Sequence, residues 1–175
     1  MKKVKVATVW LDGCSGCHMS LLDMDTAIIP LARRIELVYG PLVDAQEFPD
    51  NVDVTLVEGA ISSQEDLNKI QKIRQRTRTL IALGDCAVTG NVPAMRNSLP
   101  VSKLLQSVYV EGVQKNPGVP GERVPALLKQ ARPLREFVKV ELCLPGCPPP
   151  AKTILTLLTD LLDGKKPSTL SVKFG

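Results

Sequence analysis

At 175 residues, 44% hydrophobic, with a formal charge of +4 and only 3% aromatic side chains, the chain is long enough for one sizeable core, burying about 70% of the surface its unfolded form exposes. The mild basic excess comes without the stacking side chains of a single-strand binder, which argues against a nucleic-acid partner. No apolar run approaches the roughly 20 residues of a membrane span, and the start, Met1-Lys2-Lys3-Val4-Lys5-Val6, has no apolar export segment, so the expectation is one domain over residues 1–175 in a reducing cytoplasm with free thiols.

Val4 to Trp10 is β-branched and almost continuously apolar, the pattern of a central strand covered on both faces. A loop holding Cys14 and Cys17 follows, then a helical stretch from about Met19 to Arg33 with Leu21, Leu22, Ile28, Ile29 and Leu31 as its buried stripe. Ile35 to Tyr39 and Val52 to Val57 read as the second and third strands, the third ending at Glu58-Gly59-Ala60. Ser62-Ser63-Gln64-Glu65 has the form of a capped helix start, and that helix runs to about Arg76. Thr79 to Leu83 is the fourth strand, with Gly84-Asp85-Cys86 at its C-terminal end.

From Pro93 to Pro133, prolines at 93, 100, 117, 120, 125 and 133 punctuate the chain too often for long elements; short helices are expected near Val101–Val108 and Pro125–Gln130. Phe137 to Leu142 is the fifth strand and Ala151 to Leu162 the last helix, stopped by Asp163-Gly164 and then Pro167. The succession predicts an α/β fold: a flavodoxin-like, doubly wound parallel sheet with an irregular Pro-rich excursion before the last strand. Right-handed crossovers place the loops after strands one, three, four and five on one edge of the sheet, where such folds bind cofactors.

Four of the five cysteines, and Glu58, fall on those loops: Cys14 and Cys17 in a C-x-x-C, Cys86 after Gly84-Asp85, and Cys147 before Pro148-Pro149. Four thiolates converging from three loops suit a cubane iron–sulfur cluster and hence electron transfer. Two other readings stay open on spacing alone. Zinc would ordinarily call for a second close Cys or His pair, and Cys86 and Cys147 are isolated from each other and from His18. A redox dithiol would use Cys14 and Cys17 and leave the Gly-flanked Cys86 and Cys147 without a role.

Trp10-Leu11 with Cys14-Ser15-Gly16-Cys17-His18, then Val57-Glu58-Gly59, Gly84-Asp85-Cys86-Ala87 and Pro145-Gly146-Cys147-Pro148-Pro149 together resemble the small subunit of a [NiFe] hydrogenase. The likeness spans about residues 4 to 163. Short length, no export signal and no further cysteine-rich domain make it similar to the soluble NAD-reducing (bidirectional) type. The related subunit of respiratory complex I carries two adjacent cysteines in its first loop, where this chain has Cys14-Ser15-Gly16-Cys17.

The resemblance implies that Cys14, Cys17, Cys86 and Cys147 bind one proximal [4Fe–4S] cluster and that the nickel–iron centre lies in a separate large subunit. Electrons would leave through diaphorase-type iron–sulfur and flavin subunits toward NAD, one at a time per cluster. It also implies that Glu58 lies near the cluster and the subunit interface, as a proton relay or an interface group; from the residues alone it could equally bond loop amides and nothing else. Glycines beside the ligands, Gly13, Gly16, Gly84 and Gly146, allow backbone N–H groups close to a negative cluster, and a Cys17 that begins the first helix would have its thiolate favoured by the helix N-terminus. An FMN near the first loop is a further expectation, since flavodoxin-like folds bind flavin at this edge.

Cys143 reads as a structural thiol four residues before Cys147. His18 is a solvated helix-start residue, a donor to a cluster sulfur or a partner contact; Trp10 is packing or interface; Asp12 orders the first loop. Arg74, Arg76 and Arg78 read as a solvated basic edge. Two competing functions stand beside the leading one. One is a hydrogenase small subunit serving a deazaflavin or heterodisulfide system, where longer chains with extra ferredoxin-like cysteines are expected. The other is a zinc-stabilised interaction module.

Overall fold

The computed structural model describes residues 3–165 and 167; the ends of the unit expected over 1–175, including the first two residues of the N-terminal reading, lie outside the described residues. In chain order the strands are β1 (Val4–Trp10), β2 (Ile35–Tyr39), β3 (Val52–Glu58), β4 (Ile61–Ser63), β5 (Thr77–Leu83), β6 (Leu127–Arg132) and β7 (Leu142–Leu144). The helices are α1 (Gly16–Leu22), α2 (Ile28–Arg34), α3 (Gln64–Arg76), α4 (Asp85–Thr89), α5 (Asn91–Ala94), α6 (Val101–Gln106) and α7 (Ala151–Leu162).

A five-stranded sheet in the order β2-β1-β3-β5-β7 is parallel at every pairing, which is the flavodoxin-like order and confirms the expected fold class. Its apolar strands serve two faces at once. Along β5, Leu80 and Ala82 enter the core shared with Ile70 and Ile73 of α3, while Ile81 and Leu83 enter the core shared with Ile154 and Leu157 of α7. Strand residues alternate sides, so burial on both faces forces a continuous apolar run.

The polar residues inside the sheet are satisfied. Thr55 and Thr77 hydroxyls pair at 2.8 Å across β3 and β5. Ser63 caps α3 by accepting from the Asp66 amide at 3.1 Å, and the Asp66 carboxylate accepts the Ser63 amide at 3.0 Å. That reciprocal box is the helix start expected at this point.

Four expectations are corrected. The helix from Met19 to Arg33 is two helices joined by a 3-10 turn, Asp25–Ala27. Asp25 takes φ +50, and Pro30, without an amide hydrogen, is tolerated only because the helix restarts with it in the first turn of α2. Residues expected as a helix at Pro125–Gln130 instead form β6, antiparallel to β4. That ribbon is held by Asn97, which exchanges two 2.8 Å bonds with the Ala131 backbone, and by Arg96, which donates to the Ser62 and Leu128 carbonyls at 3.0 Å.

The last strand is Leu142–Leu144, later and shorter than Phe137–Leu142. Phe137 and Val138 are drawn into a turn, their amides donating to the Leu134 carbonyl, and the Glu141 carboxylate takes the Leu80 amide at 2.8 Å, so the ladder with β5 begins only at Leu142. Finally, Arg74 and Arg76 are not a free basic edge. Arg74 pairs with Glu141 at 2.6 Å and donates to the Lys139 carbonyl at 3.0 Å; Arg76 pairs with Asp50 at 2.9 Å and donates to the Phe48 carbonyl at 2.6 Å.

Candidate functional site

The C-terminal edge of the sheet carries the loop between β1 and α1, the β3–β4 turn, the β5–α4 turn and the loop from β7 to α7. Each holds a residue singled out from sequence. Cys14 is exposed in the first loop and Cys17 is buried in the first turn of α1. Cys86 stands second in α4, and Cys147 lies exposed ahead of α7, joined to Pro148 by a cis peptide.

The first loop is zipped to the β3–β4 turn. Leu11 donates to the Glu58 carbonyl at 2.9 Å, and Asp12 and Ala60 form an antiparallel bridge with bonds of 3.2 and 2.8 Å. A side chain at Gly59, where φ is +95, would meet Asp12 and Leu11 backbone atoms at 2.8 Å, so only glycine permits this approach. Trp10, 45% exposed rather than core, steadies the same loop by donating its indole N–H to the Gly13 carbonyl at 3.0 Å.

Glu58 is 2% exposed. Its Oε2 accepts the His18 backbone amide at 2.9 Å and faces His18 Nδ1 at 2.5 Å. With the carboxylate as acceptor, Nδ1 carries the ring proton and points away from solvent. His18 is thus packed against Glu58, not solvated; its Nε2 is buried with no partner among the described residues.

The second and third cysteine loops are tied to each other. The Gly84 amide donates to the Leu144 carbonyl at 2.8 Å, and the Asp85 amide to the Gly146 carbonyl at 2.9 Å. Asp85, buried, accepts the Gly146 amide on Oδ1 at 2.7 Å. The Ser20 hydroxyl of α1 donates to the Pro149 carbonyl at 2.5 Å, joining the first loop's helix to the third loop. Neither Asp85 nor Ser20 was expected at the site; an acid directly before a cysteine was the available signal for the first, and nothing local marks the second.

The sulfurs share one electrostatic environment. Burial pushes the Cys17 thiol far above its ordinary range, and the charges of Glu58, Cys86, Cys14 and Cys147 push the same way. Burial also raises Cys86, opposed by a hydrogen bond from the Val92 amide, with Cys147, Cys14 and Glu58 adding to the rise. Cys17 and Cys86, whose ionisation burial and neighbouring charges oppose, would be favoured as thiolates by a cationic centre beside them. Among the described residues no three His, Cys, Asp or Glu side chains gather closely enough to hold a single metal ion. Cys143 stays outside this set: it pairs with Ala82 in the sheet, packs against the core, and is raised by burial with Arg135 opposing.

The backbone leaves room for sulfur. Gly84 takes φ +83, and a side chain there would lie 2.2 Å from Cys17 Sγ; at Gly16 it would lie 3.2 Å from Cys14 Sγ.

A family model described as the 20 kDa subunit of NADH ubiquinone oxidoreductase matches residues 14–161. A vhu-type F420-non-reducing hydrogenase subunit of Methanocaldococcus jannaschii is 39% identical over 166 residues, 94% of this chain and 58% of that protein. The delta subunit of the NAD-reducing hydrogenase HoxS of Cupriavidus necator is 36% identical over 168 residues, 93% of this chain and 80% of that one. Among solved structures, a chain from NAD+-reducing [NiFe]-hydrogenase in the H2-reduced state superimposes with a TM-score of 0.95 at 37% identity, covering 99% of this chain and 100% of that chain. The chain therefore spans little more than half the length of the methanogen relative and the full length of the solved one.

Proposed function

We propose, from the premise that this chain belongs to the family of the 20 kDa subunit of NADH ubiquinone oxidoreductase, that it is the electron-transferring small subunit of a cytoplasmic NAD-linked [NiFe] hydrogenase. The observation that carries this is the convergence of Cys14, Cys17, Cys86 and Cys147 on one edge of a flavodoxin-like sheet, from three loops bonded to one another. Both relatives named above are hydrogenase subunits, which supports the hydrogenase part of this reading, and the HoxS delta subunit supports the link to NAD. When bound, a [4Fe–4S] cluster supplies one-electron relay between a hydrogen-splitting nickel–iron centre in a large subunit and the iron–sulfur and flavin subunits that reduce NAD.

The chain's own residues then have distinct tasks. The four thiolates hold the cluster, and Gly16 and Gly84 let Cys14 and Cys17 lie against the backbone. Glu58 is assigned proton transfer at the same edge: it is buried, near the thiols and bonded to the His18 ring, whose second nitrogen has no partner among the described residues. A large subunit covers this edge, with an obligate interface of more than about 2,000 Å². We infer a single domain over the whole of 1–175. No described helix is long and apolar enough to cross a membrane. An FMN is the further cofactor this reading admits, beside the first loop in an apolar cleft of 260 Å³ lined in part by Trp10, His18, Leu22 and Leu42; acid extraction and fluorescence of the purified complex test for it.

The 39% identity to an F420-non-reducing hydrogenase subunit favours one alternative, a hydrogenase with another electron acceptor. The decisive experiment is anaerobic co-purification of the chain with its partners, with iron, acid-labile sulfide, nickel and acceptor use measured. Cys14→Ser, Cys17→Ser, Cys86→Ser and Cys147→Ser should each lose or convert the cluster, and Cys143→Ser should keep it. An intact four-iron spectrum in Cys86→Ser with loss in Cys143→Ser would overturn the ligand set.

A further inference from the structure

Directly after α4 the chain turns through Gly90 at φ +94 and Asn91 at φ +30, and this turn reaches two of the sulfur-bearing loops. The Asn91 side-chain amide donates to Cys147 Sγ at 3.6 Å, within the range of an N–H···S bond, and the turn lies directly after the helix that carries Cys86. Asn91 is thus the one described side chain whose amide bonds a ligand sulfur from outside the ligand's own loop. Its position is held from the other side. Arg96 and Asn97, one turn further on, are bonded to the β4–β6 ribbon through four contacts of 2.8 to 3.0 Å, so the donor is fixed to a rigid element rather than carried on a free loop.

We propose that Asn91 is a positioning residue that sets the reduction potential of the cluster through its bond to Cys147; this rests on the ligand reading above. A thiolate that accepts an N–H bond pushes less charge onto its iron, and the bond strengthens when an added electron makes the sulfur more negative. The amide therefore favours the reduced form. Removing it should make the cluster harder to reduce. The left-handed backbone explains why asparagine stands here: among residues able to donate at this distance, it tolerates positive φ best.

Two substitutions keep that backbone while deleting the donor. Asn91→Gly adopts positive φ without strain, and Asn91→Asp keeps the shape but aims a carboxylate at the sulfur. The complete complex carrying each would be purified anaerobically, its iron and sulfide counted, and the one-electron reduction of the small-subunit cluster followed by electron paramagnetic resonance against a mediator series. Both variants should keep a full four-iron complement. Asn91→Gly should lower the reduction equilibrium about tenfold, which is about 59 mV more negative for one electron, and Asn91→Asp should move it further the same way. Loaded variants at the wild-type midpoint, or a positive shift, would overturn the Asn91 role alone, and so would loss of the cluster from both. A wild-type complex without iron and sulfide would instead take down the ligand reading and this inference with it.

Discussion

Substituting alanine for Gly84 asks a single methyl group to occupy space that the structure gives to a sulfur. The backbone there has φ +83 and ψ 164, a region essentially reserved for glycine, and holding another residue in it costs about 1–3 kcal/mol. The new Cβ would lie 2.2 Å from Cys17 Sγ, where carbon and sulfur need at least about 3.5 Å. The sulfur must withdraw by more than about 1 Å. Without a cluster Cys17 can swing aside, so the overpacking cost stays at the low end of about 1–3 kcal/mol. The sum, about 2–4 kcal/mol, is a fraction of the roughly 5–15 kcal/mol that holds a domain together. Gly84→Ala should therefore fold, melting about 4–16 °C lower at roughly 2–4 °C per kcal/mol, and should lose most of its iron if the displaced sulfur is the ligand proposed above. Thermal unfolding by circular dichroism and iron and sulfide assays on the co-purified complex read the two effects separately. Gly118→Ala, with nothing within 4 Å of its added methyl, is the control. A Gly84→Ala complex with full iron content and a melting point within about 1 °C of wild type would refute the argument.

Glu58→Gln keeps the size of a 2% exposed side chain and its ability to accept the His18 amide, while removing the proton-carrying carboxylate; hydrogen turnover by the full complex should fall several-fold with cluster content and assembly unchanged, and equal turnover would leave Glu58 structural. Glu141 tests the corner that shortens β7. Burial works to raise its carboxyl, but the Leu80 amide and the Arg74 guanidinium outweigh it and hold it below the usual range. A folded value below the unfolded one stabilises the chain above the ordinary carboxylate pKa of about 4.3, and that stability is lost as pH falls through the folded value. Glu141→Gln should cost about 1–2 kcal/mol at pH 7, discounted for a pair that is one-quarter exposed, and the gap from wild type should narrow steadily as pH falls below about 4.3. Urea unfolding of the isolated chain across an acid pH series measures it, and a gap that does not narrow at all on acidification would mean packing rather than charge.

Strands buried on both faces were legible because burial on both sides narrows the choice of residue: Val4–Trp10 reads as an almost continuous apolar run and Val52–Val57 as a strand, and the two pair as neighbours in the sheet. The capped start of α3 and the whole of α7 were legible for local reasons, a Ser-Asp box and an apolar stripe bounded by proline and glycine. The errors lie where partners distant in sequence decide. β6 begins inside a helix-compatible Pro-Ala-Leu-Leu-Lys-Gln run, and only its pairing with Ile61 and Ser63, more than sixty positions back, makes it a strand. The start of β7 was misplaced because a carboxylate, Glu141, takes an amide that a strand carbonyl would otherwise hold. Among site residues the cysteines were legible from their type and flanking glycines, whereas Asn91, Asp85 and Ser20 act through bonds across 56, 61 and 129 positions, which no local pattern announces.

The bonds that assemble the site are made by groups other than the ligands. Asp12 with Ala60, Asp85 with Gly146, Gly84 with Leu144 and Ser20 with Pro149 join the loops pairwise, mostly through backbone. None needs a thiolate. The cradle therefore stands once the sheet has formed, and the cluster proposed above would add what the protein alone lacks, a positive centre beside Cys17 and Cys86, whose ionisation burial opposes. On that proposal, folding positions the sulfurs and metal chemistry ionises them. A ligand exchanged for serine should on this account forfeit the cluster without unfolding the sheet, while a broken cross-tie such as Asp85 with Gly146 should loosen two ligand loops together.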